Sequence, residues 1–200
     1  MKKLILLIIL VNIYSSVVKA QNDSSGIYKT ADDFAAKKLS FAINCQIEKH
    51  KIYLNGFFTK PFIIVKHYDS SYKIFRKDIY GYRFCTGETY RIAKSYDLEI
   101  LNPEEYIIIY RRNIINPPVG KTNVTNYYFS IGAYSSVQSL TFKNLKKAFP
   151  GNQKFYKQLE SMFKYNTELA TYDNQYKMFM INWIYKESLE YPGMDIKVRR

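Results

Sequence analysis

The sequence lacks most of the residues and motifs that mark an enzyme. It has only two histidines, two cysteines and eight glycines in 200 residues. It contains no CxxC or HxxxH pair for zinc, no GxSxG nucleophile turn, and no glycine-rich loop for phosphates or dinucleotides. These absences argue against the common zinc, serine-hydrolase and nucleotide-binding sites. The sequence therefore predicts no cofactor and no metal, and it favours a non-enzymatic protein.

Long apolar runs are also missing, except at the N-terminus. There the basic residues Lys2 and Lys3 precede the apolar run Leu4–Val11. Val18 and Ala20 place small apolar residues at the −3 and −1 positions of a cleavage site after Ala20. The run is short for a membrane span, so a signal peptide over residues 1–20 is favoured over the alternative of a membrane anchor. The predicted mature chain has no transmembrane span, and its predicted location is the periplasm, the cell surface or the medium.

Acidic residues are scarce relative to basic ones, with 17 against 30 and a net charge of +13. Removal of the leader, which carries Lys2, Lys3 and Lys19 and no acid, lowers the net charge to +10. Such a protein attracts anionic partners. Because no run of five or six like charges occurs, a solvated basic surface is the alternative. The predicted partner is an envelope protein or an anionic glycan or lipid, and nucleic acid is disfavoured.

The two cysteines, Cys45 and Cys85, both fall in the predicted mature part. In an oxidising compartment a lone pair of cysteines often forms a disulfide. Such a bond would stabilise the fold by about 4 kcal/mol in the chain-entropy model. Two buried thiols are the alternative, and the spacing alone leaves both open.

Strand signals dominate from about residue 41 to residue 140. Phe41, Ile43 and Ile47 belong to one such alternating segment, and similar short segments follow between turns. No pattern of crossover length lies between them, so the sequence predicts an antiparallel meander, either a twisted sheet or a small barrel. A short helix over residues 31–38, capped by Thr30, precedes the meander.

The C-terminal part changes to a helical period. It predicts three helices, over residues 142–149, 155–163 and 171–188. The third helix has an aromatic stripe that is predicted to be core, formed by Tyr172, Tyr176, Phe179, Met180 and Trp183. The fold class is therefore α+β, with the helices packed on the sheet. Residues 21–190 are predicted to form a single domain, followed by a basic tail over residues 191–200.

Aromatic and basic residues alternate in several strands. This interleaving gives the candidate ligand-binding residues Tyr80, Tyr82, Arg83, Tyr90, Arg91, Arg111 and Arg112. Aromatic rings that stack and cations that pair with phosphate are typical of sites for anionic polymers. The alternative, which the enrichment of aromatics in strands favours, is a wall with aromatics inside and charges outside. Gly81 predicts a bulge or a sharp bend.

Catalytic alternatives rest on few residues. A Cys–His hydrolase would need His50 or His67 beside a cysteine, and no flanking signature supports that pairing. The acids Glu104 and Glu105 stand at a predicted turn, whereas a glycosidase needs two carboxylates about 5 to 10 Å apart across a cleft. Solvated turn acids and surface histidines are the favoured interpretation, and no catalytic residue is assigned.

Five segments together carry a resemblance. They are GIYKTADDF, LNGFFTKPFIIV, KDIYGYRFC, YIIIYRR and LTFKNLKKAFPGNQKF. In order and spacing the chain resembles a group of uncharacterised exported proteins of Gram-negative bacteria. The resemblance implies export to the envelope and supplies no activity. The predicted function is a non-enzymatic envelope binding module; the alternatives are a binder of anionic polymer or lipid headgroups and a glycan or cell-wall hydrolase with unidentified acids.

Overall fold

The computed structural model describes residues 24–47, 51–54, 60–94, 96–114 and 124–189. The chain divides into an N-terminal unit, Met1–Glu99, and a C-terminal unit, Ile100–Arg200. The single domain over residues 21–190 stays a prediction. The predicted signal peptide, His50 and the basic tail lie outside the described residues. The predicted α+β class, with mostly antiparallel sheets and C-terminal helices, is confirmed.

The N-terminal unit contains eight of the described strands and one α-helix. They are β1 Ser24–Tyr28, α1 Ala31–Ala35, β2 Ser40–Asn44, β3 Lys51–Tyr53, β4 Phe62–His67, β5 Ser70–Phe75, β6 Gly81–Arg83, β7 Thr89–Ala93 and β8 Tyr96–Ile100. A 3₁₀ turn over Arg76–Asp78 joins β5 to the segment before β6.

Two antiparallel sheets form this unit. One has the strand order β8-β7-β6-β1-β2, and the other has the order β3-β4-β5. Their shared core joins residues of both sheets: Ile27, Ile63, Val65, Ile79 and Tyr82. The three-stranded sheet therefore uses one face for the core and turns its other face outward.

Helix α1 begins where the sequence predicts but ends earlier than residue 38. Thr30 caps it by accepting from the Asp33 N–H at 3.1 Å, and the Asp33 carboxylate accepts from the Thr30 N–H at 3.2 Å. Lys37 takes a positive φ of 54°, which the helix cannot continue through. The predicted last turn is therefore wrong, and the helix presents only Phe34 to the interior.

Strands β6 and β7 approach each other closely at Gly81. A Cβ atom on this residue would lie 2.0 Å from the carbonyl oxygen of Tyr90. The glycine therefore lets two strand backbones approach, which sequence alone interprets as a bulge or a bend.

The C-terminal unit contains the remaining described strands and three α-helices. They are β9 Ile107–Ile114, β10 Val124–Ile131, β11 Gln138–Ser139, α2 Phe142–Ala148, α3 Gln153–Met162, β12 Tyr172–Asp173, β13 Met178–Phe179 and α4 Met180–Leu189. Strand β10 pairs with both β9 and β11, and a 3₁₀ turn spans Asn166–Ala170.

The third predicted helix is wrong over its first half. Residues 172–179 form the β12–β13 hairpin, and the helix begins only at Met180. The Asp173 carboxylate accepts from the backbone N–H groups of Gln175 and Tyr176, at 2.7 and 2.9 Å, which closes a local turn instead of a helical one. Tyr172 and Tyr176 are consequently exposed, whereas Phe179 is buried in the core, and Met180 and Trp183 pack against it while partly buried.

The core of the C-terminal unit lies between its helices and its main sheet. Ile107, Ile109 and Phe129 of the sheet contact Leu145, Leu159 and Ile184, one from each helix of this unit, within a single cluster. Thr141 and Asn152 cap α2 and α3 with their side chains. The predicted packing of helices on strands is thus present in this unit.

Candidate functional site

The outer face of the three-stranded sheet is the candidate site, and strand register builds it. Side chains alternate between faces along a strand, so buried Ile63 and Val65 of β4 leave Phe62, Ile64 and Lys66 on the outside. Pairing with β3 and β5 adds the residues opposite these three. We call the resulting surface the lysine–aromatic face: Lys51, Tyr53, Phe62, Ile64, Lys66, Ser71, Lys73 and Phe75.

This face combines exposed aromatic rings with basic charge. Tyr53 and Phe75 keep 41% and 43% of their surface exposed, although both could pack in an interior. None of the residues that form β3, β4 and β5 is acidic. The face therefore has a single sign of charge above an apolar floor.

Lysine ammonium groups lie over the aromatic rings. The Lys73 Nζ is 4.2 Å from the Phe62 ring centroid and 5.5 Å from that of Phe75. The Lys66 Nζ is 5.6 Å from the centroid of Tyr53, and Lys60, just before β4, approaches Phe62 at 5.9 Å. These are cation–π contacts, in which the ring holds the ammonium group in place without neutralising it.

Two of the lysines are direct cross-strand neighbours. Lys51 of β3 is paired in register with Lys66 of β4. Like charges directly opposite each other in an antiparallel pair destabilise the sheet. Lys73, opposite Ile64, is the diagonal neighbour of Lys66 on the other side. An anion above this row would replace repulsion between the lysines with attraction.

The face can bind anions, because each ammonium group offers three donors and the aromatic floor excludes water from one side. Sequence reasoning missed this surface. Lys66 and Lys73 are separated in the sequence by a turn, and only the register brings them side by side. The available signal was the absence of acids across residues 51–54 and 60–68, combined with four lysines at 51, 60, 66 and 73.

The predicted ligand-binding residues of the N-terminal unit fall on two sides of the larger sheet. Tyr82 is fully buried and stacks on Tyr90, with centroids 5.2 Å apart, so it presents no surface to a ligand. Burial raises the pKa of the Tyr82 hydroxyl well above its ordinary value, and the Asp97 carboxylate adds to the rise. Tyr82 and Tyr90 thus belong to the wall of the core.

The other predicted residues are divided between the two units. Tyr80 is half-buried between Phe34, at 5.0 Å, and the Arg91 guanidinium, 4.7 Å from its ring centroid. Arg83, also half-buried, accepts a hydrogen bond from the Ser25 hydroxyl at its backbone oxygen, at 2.7 Å. In the C-terminal unit Arg111 and Arg112 stand on β9, paired with Tyr127 and Asn126 of β10. Their role in ligand binding stays a prediction.

A buried ion pair lies inside the N-terminal unit. The Arg76 Nη1 donates to the Asp97 carboxylate, and its Nη2 approaches the Leu54 carbonyl oxygen at 3.5 Å. Arg76 follows Phe75, so alternation directs it to the inner face. No motif in the sequence links residues 76 and 97, and the pairing depends on the tertiary fold.

Only one of the two acids at the predicted turn is exposed to solvent. Glu104 is exposed, whereas Glu105 is half-buried and its Oε2 atom has no hydrogen-bond partner in the described part of the chain. Burial raises the pKa of the Glu105 carboxyl, while interactions with Asn102, Asn182 and the Phe179 backbone oppose the rise. The solvated interpretation is therefore wrong for Glu105.

The asparagines beside Glu105 hold strand β9. Asn102 accepts from the Ile109 N–H at 2.6 Å, and Asn182 accepts from the Ile107 N–H at 2.8 Å. Both amides also donate to the Ile107 carbonyl oxygen at 2.8 Å. These bonds give the amide cluster a structural role at the start of β9.

Cys45 and Cys85 form a disulfide, with their Cα atoms 5.5 Å apart. The predicted disulfide is present, and the alternative of two thiols is wrong. The Cys–His hydrolase is excluded because neither cysteine keeps a thiol. His67 instead contacts Phe41 and Tyr68 with its ring, at 5.8 and 4.4 Å between centroids.

Among the described residues no three His, Cys, Asp or Glu side chains converge as a metal site would require. Within the described segments, no helix combines the length and the apolar character needed to cross a bilayer.

Comparisons with protein-family models, with curated proteins and with solved structures found no match to this chain. The resemblance to exported proteins of Gram-negative bacteria therefore stays a prediction.

Proposed function

We propose that this protein is an exported, non-enzymatic binding module of the cell envelope that holds an anionic partner on the lysine–aromatic face. The observation that carries the proposal is the row Lys51, Lys66 and Lys73. These like charges lie side by side on strands that have no acid to balance them. The cation–π contacts hold these charges without neutralising them, and a bound anion would stabilise the arrangement.

The disulfide supports the exported location. Disulfides persist in oxidising compartments and are rare in the cytosol, and Cys45–Cys85 joins two segments of the N-terminal unit. The leader-like residues 1–20 point the same way. The predicted location is the periplasm or the cell surface.

The surroundings of Glu105 support a binding function over hydrolysis. The hydrolase alternative needs a pair of convergent carboxylates. Glu105 has the perturbed pKa that such a role favours, yet its neighbours Asn102 and Asn182 are engaged with the backbone of β9. We therefore assign Glu105 to the structure of the C-terminal unit.

The test is an affinity capture from the native envelope fraction, with the mature protein as bait and washes from 0.1 to 1 M salt. Over this range the Debye length falls from about 10 to about 3 Å. One variant replaces Lys51, Lys66 and Lys73 with Gln. The matched control replaces three exposed lysines of the C-terminal unit, Lys143, Lys147 and Lys157, with Gln, so both variants lose the same charge.

We expect the face variant to release an anionic partner at lower salt than the wild type, while the control variant retains it. Equal retention by both variants, or an equal loss by both, would show that this face is not the contact surface. A captured partner that survives 1 M salt with both variants would also reject the face and would point to an apolar interface elsewhere.

A further inference from the structure

We propose that the anionic partner of the lysine–aromatic face is an acidic polysaccharide whose sugar rings carry carboxylates. This inference rests on the proposed function and adds the chemical class of the ligand. It follows from three features of the face: the ammonium groups over its rings, the track of its cations, and its exposed aromatic surface.

Ammonium groups lie over the rings of this face. Lys73 lies over Phe62 and Phe75, and Lys66 lies over Tyr53. A surface that inserts into a membrane instead exposes a continuous apolar patch, with lysine stems reaching back toward water. Charges that interrupt the aromatic surface therefore favour a hydrated ligand over a bilayer.

Covered rings also argue against single-stranded nucleic acid. Base recognition without sequence preference uses open aromatic faces on which successive bases stack. On this surface an ammonium group lies over one face of the Phe62 ring and one face of the Tyr53 ring, at 4.2 and 5.6 Å from the centroids. A base would have to displace a cation to stack there.

The cations follow a continuous track across the sheet. Lys51 and Lys66 are directly opposite, which places their Cβ atoms about 5 Å apart. Lys66 and Lys73 are diagonal neighbours at about 7 to 8 Å. Lys60 extends the track, since it and Lys73 both approach the Phe62 ring. Four cations in sequence match a polymer with repeating charges better than a single anion.

Exposed aromatic surface distinguishes a glycan from a purely ionic polymer. Tyr53 and Phe75 keep 41% and 43% of their surface exposed. A sugar ring has apolar C–H surfaces between its polar groups, which can contact this aromatic surface, whereas polyphosphate has none. Lysine also suits this ligand because its compact charge needs no fixed bidentate geometry, so the chain can bind in several positions.

The experiment measures dissociation constants for polygalacturonate by isothermal titration calorimetry at 0.1 M salt, with the mature disulfide-bonded protein. Fully methyl-esterified polygalacturonate is the uncharged control polymer. Polyphosphate, a thymidine oligonucleotide and vesicles of phosphatidylserine with phosphatidylcholine test the other classes of anion. The Lys51, Lys66 and Lys73 to Gln variant is compared with the Lys143, Lys147 and Lys157 to Gln control.

A second pair of variants tests the aromatic floor. Tyr53→Ala combined with Phe75→Ala removes its exposed aromatic surface, and Tyr134→Ala, at a residue that is 69% exposed in the C-terminal unit, is the control. We expect polygalacturonate to bind and its ester to bind at least about tenfold more weakly. The lysine variant should lose about tenfold, the aromatic variant about threefold, and both controls less than twofold.

Other outcomes separate this inference from the proposed function. Binding of polyphosphate, oligonucleotide or vesicles that equals or exceeds that of polygalacturonate, and that the lysine variant loses, would overturn the glycan and leave the binding face. An aromatic variant with unchanged affinity would likewise reduce the interaction to charge alone. If the lysine variant and its lysine control bind every polymer and the vesicles equally, both proposals fail.

Discussion

The buried ion pair between Arg76 and Asp97 gives the sharpest test of the N-terminal unit. Arg76 keeps only 8% of its side chain exposed and Asp97 keeps 22%. Breaking a buried pair by removing one partner costs about 3 to 5 kcal/mol, because the other charge stays behind without compensation. The cost should therefore be larger when the more buried group is the one left behind.

We expect Asp97→Leu, which strands the guanidinium, to lower the free energy of unfolding by about 4 to 5 kcal/mol. Arg76→Met strands a carboxylate that water can still reach, so its cost should be nearer about 3 kcal/mol. The double variant removes both charges and replaces them with apolar groups of similar size. It should lie within about 1 kcal/mol of the wild type, or be more stable.

Urea unfolding followed by far-UV circular dichroism measures these values, and the four proteins form a double-mutant cycle. Dichroism is the right probe because the only tryptophan, Trp183, lies in the C-terminal unit and its fluorescence reports on that unit. The matched control is the exposed pair Lys146–Glu160, where each side chain is about half exposed. Its disruption should cost less than about 1 kcal/mol.

The cycle has two results that would refute this reasoning. If each single variant at the buried pair costs no more than the Lys146–Glu160 control, the pair is solvated in solution and the burial argument fails. If the decrease in unfolding free energy of the double variant equals the sum of the decreases in the two single variants, the two charges do not interact, and the assigned contact is wrong.

Three further predictions concern stability. Reduction of Cys45–Cys85, which closes a loop with a sequence separation of 40, should lower the free energy of unfolding by about 4 kcal/mol, measured by urea unfolding with and without reductant; an unchanged midpoint would contradict it. Gly81→Ala should cost about 3 kcal/mol or prevent folding, since its Cβ would lie 2.0 Å from the Tyr90 carbonyl oxygen, and a thermal midpoint equal to the wild type would reject that close approach. The raised pKa of Glu105 means that the folded state holds this proton more tightly than the unfolded state. The protonated Glu105 therefore stabilises the folded state most below about pH 4.3, and this stabilisation is lost as the pH rises through the folded pKa. Glu105→Gln should remove this fall in stability from a plot of the free energy of unfolding against pH. An identical slope in the variant would exclude Glu105 as its source.

Local patterns predicted the elements that depend on neighbours in the sequence. The cap at Thr30 depends only on residues within one helical turn, and the structure has it. The predicted helix over residues 171–188 failed for the same local reason. Asp173 captures two backbone N–H groups of a turn, and this competes with a helical period that looked continuous.

The lysine–aromatic face lies on other strands than the candidate ligand-binding residues that the sequence predicts. Alternating basic and aromatic residues predict a surface for anions on strands that include Tyr82 and Tyr90. Those rings face the interior because the three-stranded sheet covers them, and a period of two cannot say which face a second sheet will cover. The exposed lysine–aromatic face belongs to β3, β4 and β5. For these segments the sequence predicts strands and turns but no binding surface.

By itself the sequence determined the α+β class, the basic charge and the pair of cysteines, because composition and short-range periodicity carry that information. Tertiary structure alone decided that Lys51 stands opposite Lys66, that Arg76 meets Asp97, and that Glu105 loses solvent. These features depend on strand register and on which surfaces pack together. Both are set by contacts between segments far apart in the chain, where no local pattern reports the distance between two side chains.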